Sequence, residues 1–201
     1  MTTDTVETQA DLVALVGSRL CHDLISPLGA IGNGVELLAM SGAGMSPELQ
    51  LIADSVAAAN ARVKFFRVAF GQATRDQRIG RPEVVAMMAE VSQSGRLKIT
   101  WAVEGDQSRQ MVKMCFLALL CLEAALPWGG DVAISETAGS RQIVAAARRT
   151  KPDPELWARL DGKGARVSPA QVQFALLPRA ALDAGRQVQW QITDTGAAIT
   201  F

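Results

Sequence analysis

Apolar side chains recur every three or four residues through the N-terminal part of the chain. From residue 10 to residue 40 this spacing holds for about eight helical turns. A second run follows the glycine break at Gly42 and Gly44, and it begins at Ser46-Pro47, a capping residue followed by proline in the first turn. The pattern predicts two long amphipathic helices. Their apolar positions are Val13, Val16, Leu20, Leu24, Leu28, Ile31, Val35 and Leu38 in the first, and Leu49, Ile52, Val56, Ala59, Val63, Phe66 and Phe70 in the second.

The two helices form an antiparallel hairpin that has one apolar stripe on each arm. Such a hairpin cannot enclose a core by itself, because each stripe needs a partner surface. A symmetric pair of hairpins solves this problem as a four-helix bundle. We therefore expect a homodimer.

The pattern changes near Gly80, where helices and strands begin to alternate. It predicts a helix over 81–94, a strand over 97–103 and a buried helix over 106–126. A hairpin of strands 131–136 and 142–147 follows, joined by a Gly139-Ser140 turn, then helices over 152–160 and 168–183, and a last hairpin of strands 187–193 and 197–201. The fold class is α+β, with a helical hairpin domain over residues 1–76 and an α/β sandwich over residues 77–201.

Composition narrows the function classes. The 201 residues include 20 basic and 20 acidic side chains, and this zero net charge disfavours a nucleic-acid partner. No run of 18 apolar residues occurs, and residues 1–9 are polar, so we expect a cytoplasmic protein without a membrane partner. Three cysteines, an odd number, are typical of a reducing compartment, and their spacing fits no zinc site.

The chain contains one histidine, His22, which excludes any site that needs two imidazoles from one chain. At about 100° per residue, His22 lies roughly 175° from the centre of the first apolar stripe and is expected to face solvent. Ser18, Ser26, Gly29 and Asn33 share that side. On geometry alone, an exposed histidine without a role stays as open as a functional one.

An exposed neutral imidazole can attack a phosphorus centre through the ring nitrogen that carries no proton. Asp23 can hold the other nitrogen in its protonated form, although it can also be an ordinary residue near the backbone freed by Pro27. Ser26 can hydrogen-bond the transferred group. The remaining candidates are docking residues for a partner: Ser18, Arg19, Gly29 and Asn33 on the first helix, and Arg62 and Arg67 on the basic outer side of the second.

The segment Ser18–Gly34, SRLCHDLISPLGAIGNG, resembles the ChpT-type histidine phosphotransferases of alphaproteobacterial phosphorelays, which carry a His-Asp-Leu-x-Ser-Pro motif. The resemblance implies a dimeric kinase-like hairpin followed by a degenerate ATPase domain without a cofactor. It also implies that His22 relays a phosphoryl group. The donor would be the receiver domain of a CckA-like hybrid kinase, the acceptors would be CtrA-like and CpdR-like response regulators, and the receiver would supply Mg²⁺.

The second domain lacks residues that related kinases use to bind ATP and magnesium. Glu123 stands where they carry a magnesium-ligating asparagine, and residues 147–154 replace their Asp-x-Gly-x-Gly segment. Asp161-Gly-Lys-Gly164 and Asp194-Thr-Gly196 are interpreted as plain turns. Two alternatives to phosphotransfer stay open at this point: an active ATP-dependent histidine kinase, and a dimeric adaptor whose histidine is silent.

Overall fold

The computed structural model describes residues 9–43, 46–74, 76–164 and 166–201. The chain divides between Gln72 and Ala73 into two compact units, one N-terminal and one C-terminal. The sequence-based boundary lay after residue 76. Two sequence-based expectations, the polar segment at residues 1–8 and the helix break at Gly44, lie outside the described residues.

The N-terminal unit is an antiparallel helical hairpin, as the sequence pattern predicts. Helix α1 spans Gln9–Leu38, runs through Pro27, and continues as a short π-helix over Ala39–Ala43. Helix α2 spans Pro47–Ala69, and the Oγ of Ser46 caps it by accepting the Leu49 N–H at 3.3 Å. The helices approach closely where α1 carries glycine, because a Cβ on Gly32 would lie 3.6 Å from Val56.

The apolar stripe of α1 is largely exposed in the single chain. The side of α1 that is buried carries Cys21 and Val35, while α2 buries Ala61, Phe65 and Val68. A helix of a four-helix bundle packs against two neighbours on adjacent faces, and one chain supplies only one of them. The exposed members of the stripe are Val13, Val16, Leu20, Leu24, Ile31 and Leu38.

The C-terminal unit contains a five-stranded sheet in the order β2-β4-β5-β7-β6. Strands β2 and β4 are parallel and the other pairs are antiparallel. A separate two-stranded sheet, which the sequence pattern did not predict, pairs β1 with β3. The strands are β1 Arg78–Ile79, β2 Leu97–Trp101, β3 Gln107–Ser108, β4 Gly130–Thr137, β5 Ser140–Ala146, β6 Gln189–Thr193 and β7 Gly196–Thr200.

Four helices belong to the C-terminal unit: α3 Arg81–Ser94, α4 Arg109–Ala125, α5 Pro154–Trp157 and α6 Gln173–Asp183. Helix α4 is buried along most of its length. On the sheet, Val132, Ile134 and Ile143 are buried while the alternating residues Asp131 and Val144 are exposed, so one face is core and the other meets solvent. The α+β class is confirmed.

Several boundaries differ from the sequence-based expectation; the buried helix, for example, begins at Arg109 instead of residue 106, because Gln107–Ser108 pair as β3. The β4–β5 turn is Ala138-Gly139, with φ of 50° and 78°, and Ser140 already pairs with Thr137. A two-residue hairpin turn with positive φ at both positions follows the right-handed twist of the strands, which explains the shift. The helix expected from 168 begins as a 3₁₀ turn at Pro169–Gln171 before α6.

Candidate functional site

His22 is an exposed imidazole on α1. Its side chain is 79% exposed, and its Nδ1 lies 3.1 Å from Oδ1 of Asp23. An ionised carboxylate can only accept a hydrogen bond, so Nδ1 is the protonated nitrogen in this contact. The lone pair of the neutral ring is then on Nε2. The geometry leaves a nucleophilic nitrogen on a solvent-facing ring.

Asp23 is held by a second neighbour. Its Oδ2 accepts a hydrogen bond from Nε of Arg19 at 2.7 Å, one turn earlier on α1. The hydrogen bond with His22, together with the bond and charge of Arg19, holds the pKa of Asp23 below its ordinary value. The carboxylate is therefore ionised at neutral pH. Arg19, Asp23 and His22 form a connected row on one surface, which we call the His22 row.

The surface around His22 carries short side chains and is accessible to solvent. Ser26 and Asn33 are exposed, and a Cβ built on Gly29 would meet no heavy atom within 4 Å. These positions lie within about 40° of His22 around the helix axis. The structure therefore places Ser26, Gly29 and Asn33 on one accessible surface with the imidazole.

Of the other candidate docking residues, Arg62 and Arg67 lie on α2, and Ser18 contacts the segment that follows α2. The Oγ of Ser18 accepts the Gln72 N–H at 3.3 Å, so Ser18 contacts the end of the hairpin. Arg62 lies over the ring of Phe66, 5.2 Å from its centroid. Arg67 is exposed and close enough to Cys21 for its charge to lower the pKa of that thiol, although burial raises that pKa by more. A contact with a partner at these positions stays a prediction.

In the C-terminal unit, the glycine-containing segments form turns. Asp161 accepts a hydrogen bond from the indole N–H of Trp190 at 3.0 Å, and Gly162 ends a 3₁₀ helix with φ of 75°. A Cβ on Gly164 would lie 2.7 Å from the carbonyl oxygen of Glu155, so close backbone packing explains this glycine. Asp194 and Thr195 form the β6–β7 turn.

Helix α6 packs against α4. Gln173 of α6 is buried and donates from Nε2 to the carbonyl oxygen of Leu120 in α4 at 3.5 Å. Trp157, only 1% exposed, packs edge-on against Phe174 of α6. Glu123, at the position of the kinase asparagine, is half-buried in α4. This packing joins α4 and α6 directly.

No group of three or more histidine, cysteine or acidic side chains suited to a metal occurs among the residues that the structure describes. Cys115 and Cys121 are buried in α4. Burial raises the pKa of both thiols, that of Cys115 to about 12.

Comparison with known proteins decides the family. Residues 81–196, more than half of the chain, match the family model described as histidine phosphotransferase C-terminal domain. The chain belongs to the histidine phosphotransferase family. It is 38% identical over 128 residues to the protein phosphotransferase ChpT of Brucella abortus (strain 2308), a match that covers 62% of this chain and 60% of the Brucella protein. The resemblance found in the sequence is thereby confirmed.

A solved structure of a bacterial phosphotransferase resembles this family member along its whole length. The two chains are 28% identical, with a TM-score of 0.67, and the alignment covers 98% of each. The architecture therefore extends through both the hairpin and the C-terminal unit.

Two features of this histidine phosphotransferase chain were missed by sequence reasoning. One is the bond between Arg19 and Asp23, whose signal was the oppositely charged pair four residues apart on a helix. The other is a concentration of basic side chains in the C-terminal unit, from Arg96, Lys98, Arg148 and Arg149. These residues are distant in sequence, and only the strand order brings them together.

Proposed function

We propose that this chain is the histidine phosphotransferase of a phosphorelay, and that His22 carries the phosphoryl group between aspartates of receiver domains. The observation that carries the proposal is the solvent-facing imidazole of His22 whose Nδ1 is bonded to Asp23, which leaves Nε2 open. Membership of the histidine phosphotransferase family supports it.

In the first step, the lone pair on Nε2 of His22 attacks the phosphorus of an aspartyl phosphate. The new N–P bond forms as the P–O bond to the donor aspartate breaks, and the donor leaves as a carboxylate. The proton stays on Nδ1, where the negative charge of Asp23 stabilises the positive charge that develops on the ring. Arg19 acts through Asp23 by fixing the carboxylate in place.

In the second step, the carboxylate of an acceptor aspartate attacks the same phosphorus and the N–P bond breaks. The chain contributes alignment of donor, phosphorus and acceptor, which is the main requirement in phosphoryl transfer. Mg²⁺ at the phosphoryl group is expected from the receiver domain. The open surface at Ser26, Gly29 and Asn33 gives the receiver room to approach.

We further propose that the C-terminal unit does not use ATP. The buried Gln173 of α6 supports this, because its side chain packs against α4, and Trp157 is buried against Phe174 of the same helix α6. Glu123 also adds a negative charge where a kinase would hold magnesium and triphosphate through an amide. The unit is then a scaffold that has kept its fold without its ligand.

The exposed stripe of α1 supports a homodimer as the working form. Leu20, Leu24 and Ile31 are each at least half exposed in the single chain, and they lie on the side of α1 opposite to His22. By length and composition alone the segment Val13–Ser41 is also apolar enough to cross a membrane. We assign the stripe to a second copy, because the His22 row on the same helix is charged and exposed.

We propose a CckA-like hybrid kinase receiver as the donor, CtrA-like and CpdR-like response regulators as the acceptors, and a cytoplasmic location. The similarity to the Brucella protein phosphotransferase ChpT supports these assignments.

The test is transfer of phosphate from a receiver domain labelled on its aspartate. Incubation with the purified chain should move the label to His22, giving a phosphate that is lost in acid and stable in base. His22→Gln should stay unlabelled with an unchanged melting temperature, since this side chain is exposed. Label on the His22→Gln protein would place the phosphate on a residue other than His22, and full signalling output from that variant in cells would favour the adaptor alternative.

A further inference from the structure

A basic cleft opens at one end of the sheet in the C-terminal unit. It has a volume of about 880 Å³, and its charged lining residues are Arg96, Lys98, Arg148, Arg149 and Asp131. Sites for small molecules typically measure about 300 to 1,000 Å³. The cleft therefore has the size of a ligand site.

The strand order creates this cleft. Lys98 on β2 and Asp131 on β4 are neighbours in the parallel pair, and Asp131 faces Ala146 on β5. All three alternate with buried residues and lie on the solvent face, whereas Val132 points to the core. Arg148 and Arg149 directly follow the end of β5. The cleft is thus on the opposite face of the sheet from the core, and its Arg148 and Arg149 belong to the segment 147–154 that replaces the Asp-x-Gly-x-Gly segment of related kinases.

The charge of the cleft is not balanced. Four cations line it against one carboxylate, in a chain whose total charge is zero. Among the residues that the structure describes, no carboxylate lies within ion-pair distance of Arg96, Lys98, Arg148 or Arg149. Like charges gathered in a concave surface focus a positive field and attract anions. A surplus of this kind favours a ligand with more than one negative charge.

Two of the cations are already ordered. The guanidinium of Arg149 lies 3.9 Å from the centroid of the Trp128 ring, a cation–π contact. Arg96 donates from Nη1 to the carbonyl oxygen of Pro127 at 3.0 Å. Ordered guanidinium groups bind phosphate oxygens in a fixed geometry and lose little freedom when they do so.

We infer that this cleft is a binding site for a small molecule that carries a diphosphate group. Arg148, Arg149 and Lys98 bind the phosphate oxygens, and Asp131 opposes them. Either a free inorganic diphosphate or the diphosphate of a nucleotide supplies this chemistry. Binding here does not require phosphotransfer at His22.

The test is calorimetric titration of the full-length chain with inorganic pyrophosphate and with ADP, and with adenosine as the uncharged control. Pyrophosphate should bind, and adenosine should not. A tighter Kd for ADP would assign the nucleotide as the source, and an equal or weaker one would assign the free diphosphate. Because Trp128 is 56% exposed while Trp101 and Trp157 are buried, binding should also change the tryptophan emission.

Variants locate the ligand. Arg148→Gln and Arg149→Gln should each weaken pyrophosphate binding about tenfold, the loss expected for one charge-assisted contact. Lys163→Gln removes the same charge from an exposed turn outside the cleft and should leave the Kd unchanged. Asp131→Asn should tighten binding about threefold or more, because it removes the opposing charge.

Several results would overturn the inference. These are the absence of pyrophosphate binding at low ionic strength, equal weakening by Lys163→Gln, or no gain from Asp131→Asn. An emission change that persists in Trp128→Phe would place the ligand elsewhere, as would loss of binding in His22→Gln. Binding of a long polyanion such as heparin without binding of pyrophosphate would assign the surface to a macromolecule instead.

Discussion

At the scale of single residues, the proposed phosphotransfer depends on which nitrogen of His22 carries the proton. Asp23 decides this, because its carboxylate accepts from Nδ1 and is itself held by Arg19. The pKa of Asp23 lies below its ordinary value, so this control operates throughout the neutral range. Asp23 and Arg19 are therefore positioning residues for the imidazole.

Asp23→Asn should slow phosphoryl transfer to His22 by about tenfold to a hundredfold, because the amide stabilises the protonated ring less than a carboxylate does. Arg19→Gln should have a smaller effect, because Arg19 acts through Asp23. Glu36→Gln is the matched control, since it removes one exposed carboxylate from the same helix about 20 Å away. Equal rates for Asp23→Asn and Glu36→Gln, measured with a labelled receiver, would contradict the role of Asp23.

Gly29 tests the open surface beside the imidazole. Gly29→Leu should slow transfer by about tenfold or more, because the new side chain stands where a receiver must approach. Gly29→Ala should have a small effect, since a Cβ there meets nothing within 4 Å. Neither variant should lower the melting temperature, because alanine and leucine favour the helix more than glycine does, and undiminished transfer by the leucine variant would exclude docking at this position.

The three thiols provide a test that depends on pH. Burial raises the pKa of Cys21, Cys115 and Cys121, that of Cys115 to about 12. Because the thiolate is the reactive form, native protein at pH 8 should react with Ellman's reagent far more slowly than unfolded protein, by roughly a thousandfold at Cys115. Denaturant should release three reactive thiols. Rapid native reaction at all three would contradict the burial.

At the scale of elements, the sequence predicted the hairpin and the major strands but assigned the faces of the helices only in part. A period of 3.6 shows which side of α1 is apolar, and it correctly left His22 in solvent. It does not show which part of that side packs on α2 and which part stays exposed in the single chain. Ser18 illustrates this limit, because it shares the side of His22 yet contacts the end of α2 through Gln72.

Substitutions at Ile31 and Asn33 test whether the exposed stripe of α1 forms the homodimer interface. Ile31 is 50% exposed in the single chain, so Ile31→Glu should convert the dimer to a folded monomer by placing a charge in the interface. Asn33→Glu adds the same charge two residues away on the side of His22 and should keep the dimer. Light scattering after size-exclusion chromatography measures both masses. Val56 is a less selective position, because it also contacts Gly32 within the chain.

The basic cleft is a feature that sequence patterns could not predict. Lys98 and Asp131 are far apart in the chain and become neighbours only because β2 and β4 pair in parallel. Arg148 and Arg149 appear in the sequence simply as residues that replace a glycine segment. Local periodicity contains no information on strand order, so no local rule brings these four side chains into one cleft.

At the scale of the whole molecule, the proposed function assigns phosphotransfer to the N-terminal hairpin and a scaffold role to the C-terminal unit. Helix α6 packs on α4 through the buried Gln173, and Phe174 of α6 is fully buried in the core of the C-terminal unit. In the proposed mechanism, the hairpin presents its nucleophile in solvent, where a receiver can reach it. In this proposal, phosphate enters from a receiver domain and not from ATP.

The proposal that the chain does not use ATP gives the last prediction. The purified chain incubated with radiolabelled ATP and Mg²⁺ should stay unlabelled over a period in which a phosphorylated receiver labels it fully, because Glu123 stands where related kinases carry a magnesium-ligating asparagine and Gln173 of α6 packs against α4. His22→Gln, unlabelled from either source, sets the background. ADP bound in the basic cleft would not change this result, since that cleft lies on the other face of the sheet from α4. Label from ATP that is absent in His22→Gln would show instead that the chain is an active kinase, and the assignment of the C-terminal unit as a scaffold would be wrong.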